Sequence, residues 1–122
     1  MLKKTAILSA AALFSLQAAP ASAVQNGLLI LKMSGSRGWT ISCEFDREDD
    51  TAIKKSARGR GDVETFAVRD VTGGRCEYEG PRRGELRIRF DDENNPDACP
   101  LTKVAGECIR LVSAGRSGEF SF

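Results

Sequence analysis

Apolar and polar residues alternate along most of this chain. Trp39, Ile41, Cys43 and Phe45 are separated by Thr40, Ser42 and Glu44. Phe66 and Val68 lie among Thr65, Ala67 and Arg69, and Cys76 and Tyr78 among Arg75, Glu77 and Glu79. Leu86, Ile88 and Phe90 alternate with Glu85, Arg87, Arg89 and Asp91, and Phe120 and Phe122 with Glu119 and Ser121. Successive side chains of a strand point to opposite faces, so this period of two predicts strands with one inward and one outward face. Residues 108–112 read as extended with a weaker pattern. Residues 28–33 are apolar almost throughout, which predicts a strand covered on both faces.

Turn chemistry separates these runs. Gly35-Ser36-Arg37-Gly38, Gly59-Arg60-Gly61-Asp62, Thr72-Gly73-Gly74, Gly80-Pro81-Arg82-Arg83-Gly84, Asn94-Asn95-Pro96-Asp97 and Gly115-Arg116-Ser117-Gly118 all carry residues that favour tight turns. Residues 51–58 read as a strand returning from Glu48-Asp49-Asp50 to form a hairpin with the Trp39 strand. A second hairpin is expected across Gly80–Gly84, placing Glu77 and Glu79 on one outer face with Arg87 and Arg89. The predicted fold class is all-β: a small antiparallel β-sandwich or barrel-like domain of about seven strands. The immunoglobulin order, with Trp between two cysteines, is not met, because Trp39 precedes Cys43.

The first residues follow another pattern. Lys3 and Lys4 precede an apolar run from Thr5 to Ala19, followed by Pro20 and the small-residue site Ala21-Ser22-Ala23. Basic start, short apolar core and A-x-A site together read as a secretory signal peptide over residues 1–23. The run is short for a membrane span, and no twin-arginine pair precedes it. Val24 rather than a cysteine follows the site, so no lipid anchor is expected there. Cleavage after Ala23 removes 23 of 122 residues and leaves 99, one domain over residues 24–122. The predicted location is periplasmic or secreted.

Removal of Lys3 and Lys4 changes the charge balance. Of 18 basic and 17 acidic side chains, 16 and 17 remain, a net charge of −1. That balance argues against non-specific nucleic-acid binding. No later apolar run is long enough to cross a bilayer, so no stable membrane insertion of the mature chain is expected.

Cys43, Cys76, Cys99 and Cys108 are an even set in a small exported domain, which predicts disulfides. Cys43 and Cys76 both fall on apolar phases, and Cys99 and Cys108 flank one short loop, so the expected pairs are Cys43–Cys76 and Cys99–Cys108. With no histidine and no C-x-x-C pair in the sequence, neither a zinc site nor a thioredoxin-like motif is expected.

The same absence removes Ser-His-Asp and Cys-His chemistry. Paired carboxylates could still cleave a glycan, but the acids cluster at predicted turns and outer faces. No catalytic residue, cofactor or metal is therefore expected. The loop Asp91-Asp92-Glu93-Asn94-Asn95-Pro96-Asp97 has oxygen ligands suited to calcium, but Pro96 fills the position where an EF-hand turn needs glycine. Arg60-Gly61-Asp62 spells a cell-adhesion tripeptide, a short match with a high chance rate. Lys54, Lys55, Arg58 and Arg60 form a basic cluster without interleaved aromatics, unlike a single-strand binder. The terminal Phe120 and Phe122 read as a core strand, since a membrane barrel needs more strands than 99 residues comfortably supply.

The expected function is a non-catalytic binding module for a protein partner in the envelope or outside the cell. One form is an inhibitor of an exogenous hydrolase such as a lysozyme or a protease. Its candidate binding residues are Ser34, Ser36 and Arg37 in one Gly-rich segment and Arg116 and Ser117 in another, because loops on a rigid scaffold commonly carry binding sites. The alternatives are a structural envelope protein that assembles through residues 28–33 as an apolar edge strand, and a small glycan-active enzyme. On expression with export, intact mass and N-terminal sequencing should find a mature chain beginning at Val24; a retained Met1 would refute the signal peptide.

Overall fold

The computed structural model describes residues 27–122; the predicted signal peptide lies outside them. Nine strands follow in order: β1 (Leu28–Gly35), β2 (Thr40–Arg47), β3 (Ala52–Arg58), β4 (Glu64–Arg69), β5 (Val71–Glu79), β6 (Glu85–Asp92), β7 (Thr102–Val104), β8 (Glu107–Ser113) and β9 (Ser117–Ser121). They form two antiparallel sheets, β4-β1-β6-β8-β7 and β3-β2-β5-β9. The fold is all-β and sandwich-like, as the alternation predicts. The strand number exceeds the expected seven; the one strand with no counterpart in the sequence pattern is the short β7, whose three residues are all exposed and so carry no apolar alternation.

Sixteen apolar residues form one core, with no buried polar or charged residue among those described. Every second residue of β2 (Ile41, Cys43, Phe45) and β6 (Leu86, Ile88, Phe90) faces inward. Rings bridge the sheets: Phe45 of β2 meets Phe66 of β4 edge-on at 6.3 Å, and Phe122 contacts Phe45 at 5.8 Å and Phe90 at 5.4 Å. The terminal Phe122 is thus part of the core, held there by paired backbone hydrogen bonds with Gly74. A side chain at Gly74 would strike the Phe122 ring and the Glu44 carbonyl.

Both expected disulfides are present. Cys43 and Cys76 are direct partners on β2 and β5, and their bridge faces the core. Cys99–Cys108 ties the loop after β6 to β8. Each bridge contributes about 2–4 kcal/mol by restricting the unfolded chain. Two disulfides fit an oxidising, extracellular or periplasmic environment.

The hairpin of residues 51–58 with the Trp39 strand is found as β2–β3. The hairpin expected across Gly80–Gly84 is not. β5 pairs with β2 and β9, whereas β6 pairs with β1 and β8, so the chain changes sheets between them. Arg87 and Arg89 accordingly meet Glu107 of β8, at 3.5 and 3.7 Å, while Glu77 pairs with Arg75. Arg87 and Arg89 thus meet an acid across strands, though not the expected one, whereas Glu77 pairs with a neighbour on its own strand.

Residues 28–33 also differ from expectation. Leu29, Leu31 and Met33 are buried, but Leu28 and Ile30 are only half-covered and Lys32 is exposed, so β1 has one buried face. Nor is β1 an edge: β4 and β6 flank it along its length. Its backbone is already paired on both sides, so residues 28–33 present no open edge in this fold.

Trp39 is fully buried just before β2. Its ring occupies the space where a Gly59 side chain would stand, so a Cβ there would overlap the indole. The two residues also exchange backbone contact, Gly59 N–H donating to the Trp39 carbonyl at 2.8 Å. Gly59→Ala should destabilise the domain by about 1–3 kcal/mol through overpacking, read as a lower urea midpoint at unchanged slope; an unshifted midpoint would refute this packing.

Candidate functional site

The up-and-down strand course sorts the connections to two ends. At one end lie the loops 36–39, 59–63, 80–84 and 114–116, and at the other 48–51, Asp70, 93–101 and 105–106. The loops of the first end carry five exposed arginines, Arg37, Arg60, Arg82, Arg83 and Arg116, against one acid, Asp62. The loops of the second end carry six acids, Glu48, Asp49, Asp50, Asp70, Glu93 and Asp97, and no Lys or Arg. The connections at the two ends thus differ in sign of charge, although Asp70 pairs with Arg47 at the end of β2, at 3.7 Å, and Glu64, Glu79 and Glu85 border the arginine loops.

The four loops of the arginine end adjoin one another. Ser36 N–H donates to the Glu85 carbonyl at 3.0 Å, Gly38 to Gly59 at 3.0 Å, Gly80 to Arg116 at 2.6 Å and Gly115 to Pro81 at 2.9 Å. Gly84, at φ +84°, lies where any side chain would overlap Ser36 Oγ. The arginines therefore start from a cross-linked backbone. None of the five forms an ion pair within 4.0 Å among the described residues.

The structure brings Ser36, Arg37 and Arg116 to this end, with Ser117 at its margin as the first residue of β9. Ser34 is not part of it. It lies on β1, paired with Arg87, and is half-buried. Sequence reasoning missed Arg60, Arg82 and Arg83 as partners of these residues. The signal was available as arginine in every one of four turns, but their convergence needs the sheet topology. Arg60-Gly61-Asp62 is exposed here, with Gly61 at φ +96°.

Beside this end, the outer face of the β3-β2-β5-β9 sheet holds an open groove of about 950 Å³. Its floor is made of short side chains, Thr40, Ser42 and Ser56, with the two serine hydroxyls 3.2 Å apart. Long side chains rise on either side: Arg58 and Arg60 from β3 and its following loop, Glu77, Glu79 and Glu119 from β5 and β9. Lys54–Glu44 at 3.9 Å and Arg75–Glu77 at 3.0 Å form a charged row beyond it. Comparison with family models, curated proteins and solved structures found no match. The site's chemistry therefore rests on this geometry.

At the acidic end the side chains hold the chain's own backbone. In the loop considered for calcium, Asn94 Oδ1 accepts from Gly27 N–H at 3.0 Å and Glu93 Oε1 from Leu28 N–H at 2.9 Å, while Asp92 Oδ1 accepts from Asn94 N–H at 3.0 Å. These contacts anchor the start of β1, and no group of three or more acids or cysteines able to hold a metal occurs among the described residues. Between the sheets, Arg110 points inward and donates to the Tyr78 hydroxyl at 2.9 Å, its guanidinium 5.9 Å from that ring's centre. It acts as a strut between β8 and β5.

The Thr51 hydroxyl and backbone N–H both donate to Asp49 Oδ1, and these bonds hold the Asp49 carboxyl below its ordinary range. A depressed carboxyl adds stability above its unfolded pKa, lost as pH falls through the lower folded value. Thr51→Val should raise the Asp49 pKa toward its ordinary 3.8, seen by NMR titration of the carboxyl; an unchanged titration would refute the bond's effect.

Proposed function

We propose that this chain is an exported, non-catalytic binding module whose arginine-bearing end docks into the acidic cleft of a partner enzyme. The observation that carries this reading is the set of five exposed, ion-pair-free arginines on four loops joined in series by backbone hydrogen bonds. A guanidinium presents a planar fork that pairs with a carboxylate through two hydrogen bonds. Loops already fixed to one another lose little freedom on binding, which lowers the cost of association.

The partner chemistry follows from the charge. A glycan-cleaving hydrolase of the lysozyme kind needs two carboxylates flanking its cleft, and those are targets for paired arginines. A protein inhibitor acting this way needs no catalytic group. The chain has no histidine, both cysteine pairs are bridged, and among the described residues no carboxylate is buried as a catalytic acid in a dry pocket would be. The excess of positive charge at one end would steer association with an acidic cleft, an effect that salt screens.

The mature, oxidised protein assayed against a panel of lysozymes and proteases should inhibit one class in a dose-dependent, saturable manner. The double variant Arg82→Glu/Arg83→Glu should weaken that inhibition at least ~10-fold, and added salt should weaken it for the parent protein. Absence of inhibition across the panel, or inhibition untouched by the charge reversal, would sink the proposal.

A further inference from the structure

The groove on the outer face of the β3-β2-β5-β9 sheet has a charge arrangement unlike that of the arginine end. Its two sides carry opposite signs. One cross-strand row reads Arg58, Thr40, Glu79, Ser117, and the next reads Ser56, Ser42, Glu77, Glu119. Arg58, Arg60, Glu79 and Glu119 form no ion pair within 4.0 Å among the described residues, whereas Glu77 is engaged by Arg75. The free cations thus stand on the β3 side and the free carboxylates on the β5–β9 side, with hydroxyls between.

We infer that this groove binds short peptides with free ends. The peptide α-carboxylate sits at Arg58 and Arg60, its α-ammonium at Glu79 and Glu119, and its amides lie over the Ser42, Ser56 and Thr40 hydroxyls. The spacing fixes the length. The Cα atoms of Arg58 and Glu79 lie two strands apart in one row, about 10 Å at the usual inter-strand distance. An extended tripeptide spans about 10 Å between its ends. Both partners of the pairing are then charge-assisted, and the serine and threonine hydroxyls can donate to or accept from a peptide unit.

The floor also discriminates against a glycan. Sugar-binding faces typically offer an aromatic plane, and none projects here. Tyr78, at the groove margin, keeps its ring on the inner side with Phe120 at 6.2 Å and under Arg110. The short floor side chains are what make the groove. Ser42 and Ser56 stand opposite each other, so a long residue at either position would fill it.

This inference does not rest on the hydrolase reading, because the two sites share only Arg60 and the marginal Ser117. The test is an NMR titration of the mature, oxidised protein with trialanine, acetyl-trialanine and trialanine amide. Free trialanine should shift the Ser42, Ser56 and Ser117 amides saturably, and capping either end should weaken binding by about fivefold or more. Arg58→Ala/Arg60→Ala should remove the effect of amidation, and Glu79→Gln/Glu119→Gln that of acetylation; all four positions are exposed. A Ser42→Gln variant should abolish the titration with the fold intact by its amide spectrum. Arg82→Glu/Arg83→Glu should weaken hydrolase inhibition yet keep trialanine binding, which separates failure of one proposal from failure of the other. No shifts at the groove, or equal binding of free and capped peptides, would overturn the inference.

Discussion

Two facing sheets leave a core only one side chain deep on each side, and such a core has no room for an unpaired charge. Every buried side chain described here is apolar or a bridged cysteine. The many Lys, Arg, Asp and Glu residues must therefore occupy outer faces and end loops. Arg110 shows the limit of the rule. It lies inward at the margin, half-buried, and is held by the Tyr78 hydroxyl and ring. The charge separation between the two ends and the bipolar groove both follow from this exclusion, because they are made from residues that the core could not accept.

Covalent and steric devices keep this thin core in register. Cys43–Cys76 locks the two central strands of one sheet at directly opposed positions. Cys99–Cys108 pins a long loop to the other sheet. Gly59 and Gly74 admit the Trp39 and Phe122 rings at points where any Cβ would collide. A one-residue slip would turn each strand's apolar set outward, and these contacts oppose it. The rigidity that results is what makes fixed loops and a fixed sheet face usable for recognition.

The two candidate sites use this frame differently. At the arginine end, recognition would come from one sign of charge on several loops, acting at long range and sensitive to salt. In the groove, it would come from opposite signs at a set separation over small polar residues, which selects length and end groups. The first depends on loop backbones tied together by hydrogen bonds, the second on the strand register that aligns Arg58 with Glu79.

The alternation of residues 39–45, 66–68, 86–90 and 120–122 was enough to establish strands, their inward faces and the all-β class, because side-chain direction in a strand is a local property. Cysteine parity was likewise enough to expect disulfides, and phase favoured Cys43 with Cys76, but four cysteines allow three pairings, and only the register that sets Cys43 opposite Cys76 decided between them. Strand partners were a different matter. Whether β6 follows β5 in one sheet or crosses to the other depends on which long-range ladder is better satisfied, and both choices keep Leu86, Ile88 and Phe90 inward. The sequence therefore pointed to two candidate loops, through Arg37 and Arg116, but only the tertiary structure brought Arg60, Arg82 and Arg83 beside them. It alone could set Arg58 across from Glu79, since residues 21 positions apart meet only through β2 between them.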